Sequence, residues 1–219
     1  MLNFDQVDTC MEFKAGNESL VCVLHEIYGI NDHVVETCEA YFRKGYDVVC
    51  PNMTGLEHCF PYDAKTDAYN HFMNNVGFAS AANSVSDLLR KQKEKYRKII
   101  LVGYSVGATV AWLCAGEEGL CDAVVCHYGS RIRDHVDLAA TCQVLLLFAE
   151  GEKSFDAHRL AEQLKSGAVD VHVLAGKHGF CDRFSENYFD ESSKVAEKLV
   201  EEFLGKPASP SPGESFVAW

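Results

Sequence analysis

The segment that most constrains how this chain can fold is an apolar run that leads into a serine between two glycines. Residues 99–102 read Ile-Ile-Leu-Val, residues 103–107 read Gly-Tyr-Ser-Val-Gly, and an apolar, helix-compatible stretch follows. The run predicts a buried strand, and the small residues around Ser105 let the backbone turn sharply into a helix. In this strand–turn–helix setting the G-x-S-x-G pattern presents a hydroxyl outward, so we predict that Ser105 is a nucleophile. A purely structural turn is the alternative.

Strands and helices alternate along the rest of the chain. Apolar runs predict strands near residues 19–25, 47–50, 98–102, 122–127, 143–148 and 169–174, and helical patterns predict helices near 32–44, 65–75, 78–93, 106–116, 156–165 and 190–204. This alternation predicts an α/β domain with a mostly parallel, twisted sheet flanked by helices on both faces. We expect a single domain over residues 1–204 and a flexible tail over residues 205–219, which is rich in proline and small residues.

The net charge and the placement of the cysteines indicate which partners and which cellular compartment to expect. A formal net charge of -12 disfavours nucleic acid and anionic membrane surfaces as partners, because both require basic patches. No apolar run approaches the roughly 18 to 20 residues that span a bilayer. The ten cysteines lie mostly in apolar runs without a Cys-x-x-Cys pair, and the N-terminus lacks a signal-peptide pattern. We therefore expect a reduced, cytoplasmic compartment.

A serine nucleophile requires a base and an anion stabiliser. The best base candidate is His178, which follows the last predicted strand in a glycine-rich turn and comes after Ser105 in the chain order typical of this class of sheet; a surface turn histidine is the alternative. For the oxyanion hole we predict two backbone amides, that of Val106 and that of Ile27 in the loop after the first strand. No histidine spacing indicates a metal site, so we expect neither a metal nor an organic cofactor.

Five segments, in order along residues 18–204, resemble the dienelactone hydrolase family, which has the α/β-hydrolase fold. They are Val-Leu-His-Glu-Ile-Tyr-Gly-Ile-Asn at 23–31, Tyr-Asp-Val-Val-Cys-Pro-Asn at 46–52, Gly-Tyr-Ser-Val-Gly at 103–107, His-Tyr-Gly at 127–129 and Lys-His-Gly-Phe at 177–180. Five collinear matches are far more specific than any one of them.

The resemblance implies an eight-stranded sheet and hydrolysis of an ester or lactone through an acyl-enzyme on Ser105, with His178 as the base. It also implies that Glu26 is a carboxylate that approaches the nucleophile in the resting site. By the same resemblance, Tyr128 lines the pocket and Arg183 holds a carboxylate of the substrate.

Two departures from the family pattern concern the chemistry. The nucleophile is serine, whereas the best-known members use cysteine, and serine needs stronger base assistance. The family also has an aspartate in the turn after the strand at 143–148, where this chain reads Gly-Glu-Lys-Ser-Phe-Asp at 151–156. We take Asp156 as the candidate acid. The alternatives are Glu152, Glu150 and no acid at all, with Asp156 serving only as a helix cap.

The sequence thus predicts a hydrolase that acts on a small-molecule ester or lactone. We expect no nucleic-acid or membrane partner, and a monomer or small homo-oligomer. Since a stable fold does not require a triad, the alternative is a non-catalytic α/β-hydrolase-like binding protein without a complete triad.

Overall fold

The structure, a computed structural model, describes residues 10–205, in which helices cover both faces of a seven-stranded sheet. The strands are β1 (Cys10–Phe13), β2 (Ser19–Leu24), β3 (Asp47–Pro51), β4 (Lys98–Tyr104), β5 (Ala123–His127), β6 (Gln143–Ala149) and β7 (Val169–Leu174). The helices are α1 (Asp32–Arg43), α2 (Lys65–His71), α3 (Phe78–Gln92), α4 (Val106–Ala115), α5 (Ala157–Leu164) and α6 (Asp190–Leu204). The predicted α/β class is confirmed.

The order of the strands explains where a site can form. The order is β1-β3-β2-β4-β5-β6-β7, and every neighbouring pair is parallel except β1 with β3. The direction of winding reverses between β2 and β4, which is the switch point where open α/β sheets leave a crevice beyond their carboxyl ends. Glu26 follows β2 and Ser105 follows β4, so both lie at this crevice.

The central strands β2 and β4 are buried along almost their whole length. Every residue of β2 and nearly every residue of β4 is buried, as expected for parallel strands covered on both faces. Alternate side chains enter two cores: Leu20 and Leu24 pack on the side of α3, α4 and α5, whereas Val21 and Val23 pack on the side of α1 and α6. The two cores fix the sheet and therefore the loops that follow β2, β4, β5, β6 and β7.

Three features differ from the sequence-based predictions. The short edge strand β1 was not predicted, because it has no apolar run and is defined by its antiparallel pairing with β3. The predicted helix over 65–75 divides into α2 and a π-helical turn, Phe72–Val76, which ends at Gly77 with φ 74°. The family resemblance implied eight strands, whereas residues 10–205 contain seven.

The predicted flexible tail lies, apart from Gly205, outside the described residues. Within residues 10–205, no helix is both long and apolar enough to cross a membrane.

Candidate active site

Ser105 lies in a sharp turn between β4 and α4. Its backbone has φ 53° and ψ -111°, a left-handed conformation that L-residues adopt only under constraint. Two glycines make the turn possible: a Cβ on Gly103 would lie 2.3 Å from the carbonyl oxygen of Gly107, and a Cβ on Gly107 would lie 2.2 Å from that of Leu24. The Ser105 amide donates to the carbonyl oxygen of His127 at 3.0 Å, which ties the turn to β5.

His178 joins Ser105 to a carboxylate. The Ser105 Oγ and the His178 Nε2 are 2.7 Å apart, and the His178 Nδ1 and the Glu152 Oε1 are 2.6 Å apart. An ionised carboxylate only accepts hydrogen bonds, so His178 carries its proton on Nδ1 and leaves Nε2 to accept from the serine hydroxyl. We refer to Ser105, His178 and Glu152 as the Ser–His–Glu line.

The carboxylate of this line is Glu152 and not Asp156, which corrects the sequence-based choice. Asp156 is the N-cap of α5, and its Oδ1 accepts from the Arg159 amide at 3.0 Å. The turn after β6 instead directs Glu152 toward His178, and the Gly151 amide donates to the Gly176 carbonyl at 2.8 Å. This bond joins the two loops that hold the acid and the histidine.

The side chains of His178 and Glu152 differ in their exposure to solvent. The Glu152 side chain is 6% exposed and that of His178 is 27% exposed. Both residues border the cavity, but the carboxylate is nearly withdrawn from solvent whereas the ring is partly accessible. Such a carboxylate holds the imidazole in one tautomer and orientation.

The two predicted oxyanion amides both border the cavity. Val106 is the first residue of α4, whose first turn is closed by Thr109 donating to the Ser105 carbonyl at 3.2 Å, so the Val106 amide has no acceptor within the helix. Ile27 lies inside a turn closed by Gly29 donating to the Glu26 carbonyl at 3.3 Å, a bond that leaves the Ile27 amide unused. Both amides are thus available to an incoming oxygen atom.

His25, just before this turn, holds the Ile27 loop in place, a role that the sequence did not indicate. Its Nδ1 donates to the Glu26 carbonyl at 2.6 Å, and its Nε2 accepts from the Met53 amide at 2.8 Å. Burial lowers the pKa of His25 to about 4, and its hydrogen bond to the Glu26 carbonyl opposes this. The ring therefore stays neutral and can accept from Met53 at neutral pH.

The cavity in front of Ser105 has a volume of about 400 Å³. Three tyrosines, Tyr28, Tyr62 and Tyr69, line it together with the Ser–His–Glu line and the two amides. The sequence did not single out these tyrosines as substrate contacts. Among residues 10–205, no group of three or more His, Cys, Asp or Glu side chains is placed to hold a metal ion.

The model of the dienelactone hydrolase family matches residues 9–207. The chain belongs to the dienelactone hydrolase family. It is 32% identical over 166 residues to the uncharacterized protein YczH of Bacillus subtilis (strain 168), covering 74% of this chain and 81% of that relative. It is 25% identical over 215 residues to the carboxymethylenebutenolidase of Pseudomonas putida, covering 88% of each.

Solved structures are similar over most of the chain. A dienelactone hydrolase-like promiscuous phosphotriesterase from metagenomic libraries has a TM-score of 0.68 at 16% identity and covers 87% of both chains. A cold-adapted esterase from an Arctic intertidal metagenomic library has a TM-score of 0.56 at 15% identity and covers 85% of this chain and 82% of its own. At these identities the likeness shows the α/β-hydrolase fold of the dienelactone hydrolase family and no particular activity.

Glu26, which the dienelactone hydrolase resemblance places near the nucleophile, borders the cavity, but no hydrogen bond joins its side chain to that of Ser105. Its Oε1 has no hydrogen-bond partner among the described residues. Burial raises the pKa of the Glu26 carboxyl, and the neighbouring His178 and His33 oppose part of that rise. Glu26 is thus a buried acid beside the line and not a member of it.

The two side chains that the dienelactone hydrolase resemblance assigned to the substrate do not line the cavity, which corrects both assignments. Tyr128 is fully buried, with its ring between those of His178 and Phe180 at 5.1 and 5.4 Å. Arg183 points away, pairs with Glu36, and borders a second cavity between α1 and α6. An offset of a few residues from His178 places Arg183 on the other side of the loop.

Proposed function

We propose that this protein hydrolyses small-molecule esters or lactones through an acyl-enzyme on Ser105. The observation that supports this best is the unbroken Ser–His–Glu line at the edge of a cavity that also presents two unused backbone amides. Membership of the dienelactone hydrolase family supports the same class of reaction. The names of the relatives, a carboxymethylenebutenolidase and an esterase, agree with lactone and ester substrates.

The geometry suggests the following acylation step. His178 Nε2 takes the proton from the Ser105 hydroxyl as its oxygen attacks the carbonyl carbon of the substrate. The negative charge that develops on the carbonyl oxygen is stabilised by the amides of Val106 and Ile27. When the tetrahedral intermediate collapses, the bond to the leaving oxygen breaks and His178 returns the proton to it, which releases an alcohol or opens a lactone.

Deacylation reverses these roles with water as the nucleophile. His178 takes a proton from water, the resulting hydroxide attacks the acyl carbon, and the bond to Ser105 breaks as His178 returns the proton to the serine oxygen. The products are a carboxylic acid and free enzyme. Throughout both steps Glu152 stabilises the imidazolium form of His178 through its contact with Nδ1.

A serine nucleophile depends more strongly than a cysteine on the carboxylate that orients the base, here Glu152. A serine hydroxyl is far less acidic than a thiol, so it depends on a base in the correct tautomer. The alternative function, a non-catalytic binding protein, was motivated by the doubt over the triad acid in the turn after β6, where this chain departs from the family pattern. The contact of Glu152 with His178 removes that motive and favours catalysis.

Labelling by a fluorophosphonate tests the proposal. We expect the native protein to gain the mass of one adduct and the Ser105→Ala variant to gain none. Ser130→Ala is the matched control, because Ser130 borders the same cavity but lies outside the Gly-x-Ser-x-Gly turn.

The control variant should be labelled like the native protein. An adduct on a folded Ser105→Ala variant would refute the role of Ser105. A folded native protein without any adduct would favour the binding protein.

A further inference from the structure

One wall of the cavity in front of Ser105 is aromatic. Tyr28 comes from the loop after β2, Tyr62 from the short 3₁₀ turn Tyr62–Ala64, and Tyr69 from α2. The ring centroids of Tyr28 and Tyr62 are 4.8 Å apart, so these two rings pack against each other. We refer to Tyr28, Tyr62 and Tyr69 as the tyrosine wall.

The hydroxyls of two of these tyrosines are already engaged. The Tyr62 hydroxyl donates to the Oδ2 of the buried Asp182 at 2.5 Å and accepts from the Asn31 Nδ2 at 3.0 Å. The Tyr69 hydroxyl accepts from the Arg131 Nη2 at 2.5 Å. Both rings are thereby held in position, and what they offer to a substrate is ring surface more than a free hydroxyl.

One member of the tyrosine wall, Tyr28, is adjacent in the chain to a proposed oxyanion donor. Tyr28 directly follows Ile27, whose amide we propose as an oxyanion donor, so a substrate group next to the scissile carbonyl meets the wall first. Burial and the nearby Glu26 raise the pKa of Tyr28 to about 12, and its ring therefore stays neutral. Rings that are already held in position lose little conformational freedom when a ligand binds.

We propose that the cavity selects esters that bear an aromatic ring next to the scissile bond, through contact of that ring with the tyrosine wall. Aromatic pairs prefer offset-stacked or edge-to-face arrangements and gain more than their buried area alone provides. The inference rests on the proposed ester hydrolysis and adds the class of substrate to it.

The test compares two matched pairs of esters by proton release. One pair is methyl benzoate and methyl cyclohexanecarboxylate, with the ring in the acyl part; the other is benzyl acetate and cyclohexylmethyl acetate, with the ring in the alcohol. The quantity measured is the ratio of kcat/KM for the aromatic ester to that for the saturated ester. Comparing this ratio between variants cancels the intrinsic reactivity of each ester.

We expect Tyr69→Leu to lower the aromatic-to-saturated ratio by about 3- to 10-fold in at least one pair. Tyr69→Phe keeps the ring and should leave the ratio within about 2-fold of the native value. Tyr188→Leu is the control, because Tyr188 borders the other cavity and should not alter the ratio.

An unchanged ratio in both Tyr69→Leu and Tyr28→Leu would overturn the tyrosine wall. If these variants are still labelled at Ser105 by the fluorophosphonate and still cleave the saturated esters, the failure belongs to the inference and ester hydrolysis stands. If native protein is neither labelled nor active on any of the four esters, the proposed function fails and the inference fails with it.

Discussion

Two histidine-centred clusters lie beyond the carboxyl ends of the parallel strands and border different cavities. One is the Ser–His–Glu line; the other, which we call the Cys181 cluster, consists of Cys181, His127, His33 and Tyr104 and borders a cavity of about 450 Å³ between α1 and α6. Tyr104 and Ser105 are adjacent in the chain, yet they border different cavities. Each cluster pairs a nucleophilic atom with a histidine.

The pair in the Cys181 cluster is arranged differently. The Cys181 Sγ and the His127 Nδ1 are 3.6 Å apart, and the His127 Nε2 has no hydrogen-bond partner among the described residues. The His127 ring stacks on Tyr104, with centroids 4.5 Å apart and planes 6° apart. Among residues 10–205 no carboxylate accepts a hydrogen bond from His127, so nothing corresponding to Glu152 holds this histidine.

Burial also changes the acid–base properties of the second pair. It lowers the pKa of His127 to about 3, with His33 adding to the effect, so His127 is too weak a base at neutral pH. Burial, with a further contribution from Glu26, raises the pKa of the Cys181 thiol, which therefore stays protonated. Both clusters thus place a nucleophilic atom beside a histidine, but of the two histidines only His178 contacts a carboxylate.

We expect the largest effect on catalysis when the carboxylate of Glu152 is replaced. Glu152→Gln should lower kcat for a small ester by about 10³- to 10⁴-fold, because an amide can hold His178 in the wrong tautomer. Steady-state kinetics on the purified variant measure this. Unfolding by urea, compared with the native protein, shows whether the fold is retained.

Two control variants change a carboxylate and a thiol that lie outside the Ser–His–Glu line. Asp156→Asn should keep kcat within about 2-fold, since Asn also caps helices. Cys181→Ala should likewise keep kcat, since the Cys181 cluster takes no part in the proposed reaction. A loss in Asp156→Asn as large as that in Glu152→Gln would show that the acid has been misassigned.

Ser105 is presented by a sharp turn between two glycines, and the Cys181 cluster has no such turn. Gly107→Ala should lower the free energy of unfolding by about 3 kcal/mol, because a Cβ there meets backbone oxygens that cannot move aside. In the structure that Cβ would lie 2.2 Å from the Leu24 carbonyl oxygen and 2.6 Å from that of His25. Urea denaturation provides the measurement.

Gly167→Ala is the matched control, since a Cβ there would have nothing within 4 Å. Its free energy of unfolding should stay within about 0.5 kcal/mol of the native value. Equal losses in the two variants would mean that the close approach at Gly107 is not what constrains the turn.

The smallest effect is the response of the Cys181 cluster to acid. The unfolded chain protonates His127 near pH 6.5, whereas burial lowers its pKa in the folded chain to about 3. Between these values the unfolded state binds more protons, so stability is present above pH 6.5 and falls as the pH is lowered. The contribution of His127 between pH 7.5 and 5.5 is about 1.4 kcal/mol.

His127→Phe keeps a ring against Tyr104 and removes this titration. Its loss of unfolding free energy between the two pH values should be smaller than that of the native protein by about 1.4 kcal/mol. Taking the difference between the two proteins cancels the contributions of His25, which has the same sign, and of Glu26, whose raised pKa acts in the opposite direction. An identical loss in both proteins would contradict the neutral, buried state of His127.

Local patterns in the sequence were enough to determine the alternation of strands and helices and the turn at Ser105. They also singled out His178 and the two amides, at Ile27 and Val106. Each of these residues lies in the segment that comes after a strand. Its backbone position therefore depends on short-range features: an apolar run, small residues and a glycine. The same reasoning missed β1, since that strand depends on pairing with β3, which lies far away in the sequence.

The contacts between side chains depend on packing between segments that are distant in the sequence. Glu152 rather than Asp156 reaches His178, because Asp156 satisfies the first turn of α5 and the loop after β6 turns Glu152 inward. Tyr128 and Arg183 lie near His178 in sequence or in space, but packing directs the first into the core and the second to the opposite side. The sequence therefore determined where the backbone of the site lies, whereas long-range packing determined that Glu152 meets His178, that the three tyrosines form one wall, and that Cys181 lies beside His127.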